Sequence, residues 1–317
     1  MLLLNDQHFQ IILGLLLGLL LLASLVGYWL TRHPKQPGST AVIANLNARI
    51  KAWWVMIVVF LLALLCGPLG TIILFGFISL LALREYLALS PTLRSDHRVL
   101  LWLVFFVLPC NYTLIATRWY GFFIVFIPVY AFLGLQIRAA ITGATDSFLD
   151  RTARIQWGMM MTIYCVSHVP ALQMLDIPGY SAAGNNPKLM LFLVIVVQAS
   201  DVCQYIVGKL AGRHPIAPRV SPNKTVEGFF GGILLATLLG MSLFWLTPFT
   251  PWQTSGLALV ICLMGFAGGL VMSAMKRDRG IKDFGTLLPG HGGILDRIDS
   301  LCFAAPIFFH LTRYFFA

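Results

Sequence analysis

The chain has 317 residues, 58% of them hydrophobic and only 11% charged, and its mean hydropathy is +0.83. A water-soluble core of this length cannot hide that much apolar surface, so the composition excludes a soluble globular protein and points to a polytopic membrane protein. The net charge of +10 requires no nucleic-acid partner, because the basic residues follow a loop pattern of membrane topology.

Apolar runs of about 17 to 25 residues can cross a bilayer as helices whose backbone hydrogen bonds are all internal. Such runs fall at 9–30, 53–67, 69–87, 99–117, 119–136, 155–175, 189–207, 226–246, 255–275 and 301–317. The expected fold is therefore all-α, with about ten transmembrane helices. The first run begins near Phe9 without a basic segment before it or a clear cleavage site, and is expected to be a retained helix rather than a signal peptide. Thr31–Lys51, with Pro34, Pro37, Gly38 and Ser39, reads as a linker. Residues 1–52 are thus expected to be an added helix and linker, 53–188 the first helices of the core, and 189–317 the region that carries the chemistry. Gly67 and Pro68 break the apolar block Trp53–Leu83 into two short pieces, either a tight hairpin or a pair of re-entrant segments.

The stretches 31–52, 84–98, 137–154, 208–225 and 276–300 carry 19 of the 22 Lys and Arg residues, and Arg118, Lys188 and Arg313 lie elsewhere. This asymmetry places the five stretches in the cytoplasm and both termini on the opposite side. Asp146, Asp150, Arg151 and Arg154 read as a surface or interhelical charge group, and Arg84 with Glu85 as an interfacial pair or part of a lipid entrance. The six cysteines are scattered through apolar stretches without ligand-like spacing, as small buried side chains rather than disulfides or a zinc site.

Two polar clusters interrupt the second half of the chain. The first, Ser200–Gly232, contains Asp201 inside an apolar run, where an ionisable side chain is costly without a partner, an ion or water. Beyond it, Lys209, Arg213, His214, Arg219, Ser221, Asn223, Lys224 and Thr225 form a basic, hydroxyl-rich loop that leads into a helix, an arrangement suited to phosphate. The second cluster, Ser273–Asp299, holds five basic residues, four aspartates and one histidine. Lys276, Arg277, Arg279 and Lys282 precede Asp283; then come Gly290-His291-Gly292-Gly293 and Asp296-Arg297-Ile298-Asp299. On a helix, Asp296 and Asp299 share a face. Carboxylates beside a basic loop suit Mg²⁺ bound to a nucleoside triphosphate, because Mg²⁺ takes one or two carboxylates together with phosphate oxygens and water. His291 reads as a ligand donor, a proton carrier or an architectural residue, and the residues alone do not choose.

Ser273–Asp299 resembles the signature of the phosphatidate cytidylyltransferases (CDP-diacylglycerol synthases): a serine, a Lys-Arg pair, Lys-Asp, His-Gly-Gly and Asp-Arg-hydrophobic-Asp. Ser221–Gly228 and the placement of Asp201 ahead of Tyr205 and Gly208 are also similar to that family, whereas Cys203 and Gln204 replace its usual small residues. The resemblance covers the C-terminal third. It implies transfer of a cytidylyl group from CTP to phosphatidate at a Mg²⁺ site facing the cytoplasm, in an integral protein of a bacterial inner membrane that forms homodimers. On this resemblance Asp201, Asp283 and Asp296 lead the metal group, with Asp299 as a fourth candidate. Ser221, Lys224, Lys276, Arg277, Lys282 and Arg297 are expected to bind phosphates. Lys282 joins Asp201, Asp283 and Asp296 in the catalytic set, and His291 joins the substrate-binding set. Competing readings are cytidylyl transfer to another membrane lipid phosphate, such as an isoprenoid or ether-lipid phosphate; a transporter with Asp201 on its pathway; and an inactive relative.

All of these site readings need the two clusters on one side of the membrane. In a cysteine-free background that retains function, a cysteine at Ser255 is expected to react with a membrane-impermeant reagent from outside intact cells, and cysteines at Asn223 and Thr286 are not. Labelling of either cluster position from outside overturns the single-site arrangement.

Overall fold

The computed structural model describes residues 6–33, 39–90, 92–182, 184–287, 290 and 292–317. In chain order these form α1 (Gln7–Arg32), α2 (Ser39–Leu65), α3 (Gly67–Ala88), α4 (Arg94–Ala116), α5 (Tyr120–Ala140), α6 (148–171), α7 (Asn186–Ala211), α8 (Val226–Ser242), α9 (Pro251–Asp278) and α10 (Leu295–Phe316). Short π-helical stretches interrupt α4, α5 and α6 at Leu103–Val107, Phe126–Ala131 and Met160–Cys165.

Among the described residues the protein is all-α and multi-spanning apart from one small β-hairpin, and seven of its helices are long and apolar enough to cross a membrane: α1 to α5, α7 and α9. The other three expected spans also coil, but each departs from a simple apolar rod. α6 carries Asp150, Arg151 and Arg154 near its start, α8 has 17 residues, and α10 includes Asp296, Arg297, Asp299 and Arg313. Seven candidate spans, rather than a clear ten, follow from length and composition.

Of the expected linker Thr31–Lys51, Pro34, Pro37 and Gly38 lie outside the described residues. From Ser39 onward the chain is helical, because nothing after Gly38 breaks the run of Ala, Leu, Arg and Lys. α2 therefore crosses the expected boundary at 52/53, and the short apolar piece at 53–67 becomes the end of a full-length helix. Gly67 and Pro68 make a hairpin, not a pair of re-entrant segments: α2 ends at Leu65, Gly67 adopts φ +74°, and Pro68 occupies the first turn of α3.

One further departure from the all-α expectation lies in the first polar cluster. β1 (Pro215–Ala217) and β2 (Ser221–Thr225) pair antiparallel, with Pro215 opposite Thr225 and Ala217 opposite Ser221. Thr225 then caps α8, its Oγ1 accepting from Gly228 N at 3.1 Å. α7 and α8 pack closely because Gly228 and Gly232, one turn apart, lie on the backbone of Gln204; a Cβ at either would collide with it. Gln204 turns its Nε2 to Ser200 Oγ at 2.7 Å on its own helix.

The two ends of the bundle differ in charge. At one end Asp6 caps α1 through Phe9 N at 2.9 Å and meets Lys188 Nζ at 2.5 Å, while Arg313 lies over the Tyr120 ring at 3.4 Å. These contacts occupy two of the three basic residues that fall outside the basic stretches. The other end gathers both polar clusters with the start of α2 and the end of α3. There Arg151, 5% exposed, donates from Nε to Asp96 Oδ1 at 3.1 Å and from its terminal nitrogens to the carbonyls of Asp146 and Ala144. Arg151→Met is expected to strand a buried carboxylate and cost about 3–5 kcal/mol. The check is the thermal unfolding of detergent-solubilised protein: a lowered midpoint supports the pair, and an unchanged midpoint refutes it.

Candidate active site

Asp201 on α7 and Asp299 on α10 meet through one hydroxyl. Ser300 Oγ lies 3.1 Å from Asp201 Oδ1 and 3.5 Å from Asp299 Oδ1, and Ser300 N donates to Asp299 Oδ1 at 2.8 Å. The start of α10 thus carries one carboxylate and the hydroxyl that orients the other. Both acids are partly buried, where paired negative charge needs cations or a metal ion.

Lys224, at the end of β2, supplies one cation. Its Nζ sits 4.6 Å from the Phe266 ring centre and reaches Phe266 O at 3.5 Å. Gly269 leaves room for it, since a Cβ there would come within 2.8 Å of Nζ. Burial lowers the Lys224 pKa from its usual value, while Asp201 and Asp299 act in the opposite direction. Arg297 supplies a second cation; its Nε is buried without a hydrogen-bond partner among the described residues.

The loop before α10 is shaped by two other carboxylates. Asp296 Oδ1 pairs with Lys276 Nζ at 2.9 Å, and its Oδ2 accepts from Phe284 N at 2.8 Å and Gly293 N at 3.0 Å. Glu85, reaching across from α3, accepts from Ile294 N and Leu295 N, both at 2.9 Å. Ile294, at the N-cap of α10, offers no side-chain cap, so Glu85 serves the free N–H groups and positive dipole of that helix end. Gly285 and Gly293 lie against the Glu85 carboxylate with no room for a Cβ, and Gly292, at φ +80°, is wedged between Asp283 and Asp296.

Two of the cavities at this end of the protein share the acid pair. The larger, about 1150 Å³, is bordered by Lys282, Asp283, Thr286 and the side of α2 that carries Asn45, Arg49 and Trp53. The smaller, about 320 Å³, lies between α7, α8 and α9 and is lined by Ser221, Lys224, Phe229 and Phe266. Asp201, Tyr205, Asp296, Arg297 and Asp299 line both. The expected residues are therefore largely brought together, with three departures. Arg277 borders neither cavity; it donates to Val220 O at 3.2 Å and Ile281 O at 3.1 Å, tying the hairpin to the loop. Lys276 acts through its pair with Asp296. His291 lies outside the described residues.

The donor set also separates the four aspartates. Among the described residues, no three Asp, Glu, His or Cys side chains converge on a metal position. Asp201 and Asp299 form a pair, which suits an ion that completes its shell with phosphate oxygens and water. Asp296, expected among the metal carboxylates, has both oxygens engaged in building the loop. Asp283 is exposed on the wall of the larger cavity.

Sequence reasoning placed Glu85 outside the site, noted Tyr205 within a motif without giving it a role, and passed over Ser300 and Arg49. Ser300 has a local signal, directly after the Asp-Arg-Ile-Asp run. Glu85 has none, because its partners lie 209 and 210 residues away.

The cytidylyltransferase family matches residues 47–315 of this chain. A protein of Escherichia coli (strain K12) named Uncharacterized protein YnbB is 41% identical over 308 residues, 95% of this chain and 97% of its own length. The phosphatidate cytidylyltransferase of Staphylococcus aureus (strain COL) is 29% identical over 259 residues, 80% of this chain and 94% of its own length. That of Staphylococcus epidermidis (strain ATCC 12228) is 38% identical over 154 residues, 48% of this chain and 59% of its own. α1 and the first residues of α2 lie outside the family match.

The Glu85 latch predicts a local effect that can be measured without substrate. Glu85→Ala removes the acceptor from two helix-end N–H groups, and each such group left unsatisfied costs about 1–3 kcal/mol. Hydrogen exchange should accelerate in a peptide spanning 284–297 and stay unchanged across the middle of α7. Unaltered exchange at 284–297 overturns the assignment.

Proposed function

This chain belongs to the cytidylyltransferase family, and on that premise we propose that it transfers the cytidylyl group of CTP to the phosphate of a membrane lipid, with phosphatidate as acceptor. A phosphate oxygen of the lipid attacks the α-phosphorus of CTP, the bond to the β-phosphate breaks, and CDP-diacylglycerol and pyrophosphate form. The attacking oxygen is already ionised, so no side chain need remove a proton. The observation that carries this reading is the junction of two cavities at Asp201, Asp299 and Arg297.

In this reading the larger, loop-lined cavity takes the nucleotide and the smaller takes the acceptor phosphate, so the substrates meet at the shared wall. Asp201 and Asp299 are the pair that would hold Mg²⁺, and Ser300 fixes their facing oxygens. The ion would offset charge on the phosphates as the transferred group moves. Arg297, whose Nε has no hydrogen-bond partner among the described residues, reaches the junction from α10 and binds phosphate there. Lys224 and Ser221 hold the group in the smaller cavity, and Lys282 with Asp283 borders the triphosphate. Asp296 and Lys276 keep the loop in shape, and Glu85 holds α10 so that Asp299 faces Asp201.

The same reading assigns ten spans, a catalytic region at 189–317 and a homodimer in a bacterial inner membrane, with the basic end in the cytoplasm where CTP is available. Purified protein assayed with labelled CTP and a panel of lipid phosphates tests it, the panel including phosphatidate and isoprenoid and ether-lipid phosphates. Labelled CDP-diacylglycerol supports it. Transfer to a different lipid phosphate alone changes the acceptor and leaves the chemistry, while no transfer to any overturns both.

Removing one charge from the acid pair tests the site. Asp201→Asn and Asp299→Asn nearly preserve volume, and each should lower turnover on the order of 10²–10³-fold, equivalent to ~3–4 kcal/mol. A folded variant with wild-type turnover refutes the role of its residue.

A further inference from the structure

A third cavity, about 360 Å³, lies on the far side of Phe284 from the catalytic junction, among the ends of α3, α6 and α9. Tyr86, Trp157, Met275 and Phe284 give it a largely apolar floor, and Arg154 and Arg279 stand at its edge. Nothing in the proposed reaction uses these two arginines. The Arg154 guanidinium has no hydrogen bond or ion pair among the described residues, although its carbonyl accepts from Tyr86 Oη at 2.9 Å. Among the described residues the ion pair of Arg279 is with the neighbouring Asp278, at 3.4 Å, and that carboxylate is 73% exposed, so the pair is solvated and weak. Trp157, 40% exposed, turns its indole N–H to Met275 Sδ at 3.0 Å and leaves a ring edge at the surface.

We propose that this groove binds the headgroup of an anionic phospholipid, at a site separate from the catalytic cavities. Its place in the fold supports a lipid. α3 and α9 are long enough to cross the membrane, and the groove sits where they emerge at the basic end of the bundle. Arginine beside tryptophan at a helix exit suits the level of lipid headgroups. Charge chooses the class of headgroup: two arginines face the groove and the one acid there is solvated, which favours a phosphodiester of net negative charge over a zwitterion. The apolar floor chooses the source, because inorganic phosphate gains nothing from Trp157, Met275 and Phe284, whereas the glycerol and upper acyl carbons of a lipid cover them.

The groove also touches the catalytic loop. The Phe284 ring is buried between the groove and Lys276, whose Nζ lies 5.4 Å from it, and its backbone N–H is held by Asp296. A lipid in the groove packs against the residue next to Asp283 without entering either substrate cavity.

The test uses the full chain in phosphatidylcholine nanodiscs doped with phosphatidylglycerol that carries a headgroup-level quencher. The Trp157 signal is taken as the difference between the wild type and Trp157→Phe. Quenching should exceed that by phosphatidylcholine carrying the same label. The preference should fall on the order of tenfold in Arg154→Gln/Arg279→Gln, as expected for two cations at an anionic surface. It should persist in Arg154→Lys/Arg279→Lys, which keeps the charge, and in Asp201→Asn, which alters only the catalytic junction. Excess inorganic phosphate should leave it in place. Equal quenching by the two labelled lipids, an unchanged preference in the double Gln variant, loss of the preference in Asp201→Asn, or displacement by inorganic phosphate overturns the proposal.

Discussion

Two carboxylates on different helices, Asp201 and Asp299, face each other across one serine hydroxyl at the end of a bundle built mostly from apolar helices. Like charges partly withdrawn from water cannot remain there uncompensated, and much of the local architecture follows from that constraint. β2 delivers Lys224 to the pair. Gly269 opens the space that its ammonium occupies, and Gly228 and Gly232 let α8 approach α7 closely enough for the hairpin to reach the site. Arg297 arrives on the same helical turn as Asp299. Arg297 keeps a buried Nε without a hydrogen-bond partner among the described residues beside this pair.

Holding that arrangement falls to two other carboxylates whose oxygens are committed to backbone. Asp296 stitches its own loop at Phe284 and Gly293, and Glu85 clamps the start of α10 from α3. A hydrogen bond to a charged acceptor is stronger than one between neutral groups, and each of these acids serves two N–H groups. The first half of the chain, which contributes no residue to the shared wall of the two cavities, therefore sets where α10 begins. Arg49 on α2 has a similar part, donating to Gly290 O at 3.0 Å on the wall of the larger cavity. α2 is thus a wall of the site through Asn45, Arg49 and Trp53, even though its first residues lie outside the family match.

Much of the architecture is legible in the order of residues. Apolar run lengths place the helices, because a bilayer core imposes a length that composition alone reveals. The bias of Lys and Arg divides the loops into two sets, and the fold brings the basic stretches that carry both clusters to one end. The motif from Ser273 to Asp299 reads directly because its residues are close in sequence and α10 keeps them in register. The helix count is less legible, since α6, α8 and α10 trade apolar length for charge or brevity. The linker misleads because Pro34, Pro37, Gly38 and Ser39 mark the whole stretch to Lys51 as irregular, while the chain is helical from Ser39 onward.

The membrane class, the polar end of the molecule and the local order of acids and bases all follow from the amino-acid sequence alone, because they depend on composition or short spacing. Which acids face one another is settled only when the helices pack. Asp201 and Ser300 stand 99 residues apart, and Glu85 and Ile294 209 apart. No periodicity or nearby motif encodes such contacts, because they exist only between separate helices brought side by side. That packing distinguishes two aspartates chemically similar on paper: α10 turns Asp299 toward Asp201 and the cavity junction, and turns Asp296 back onto the backbone of its own loop.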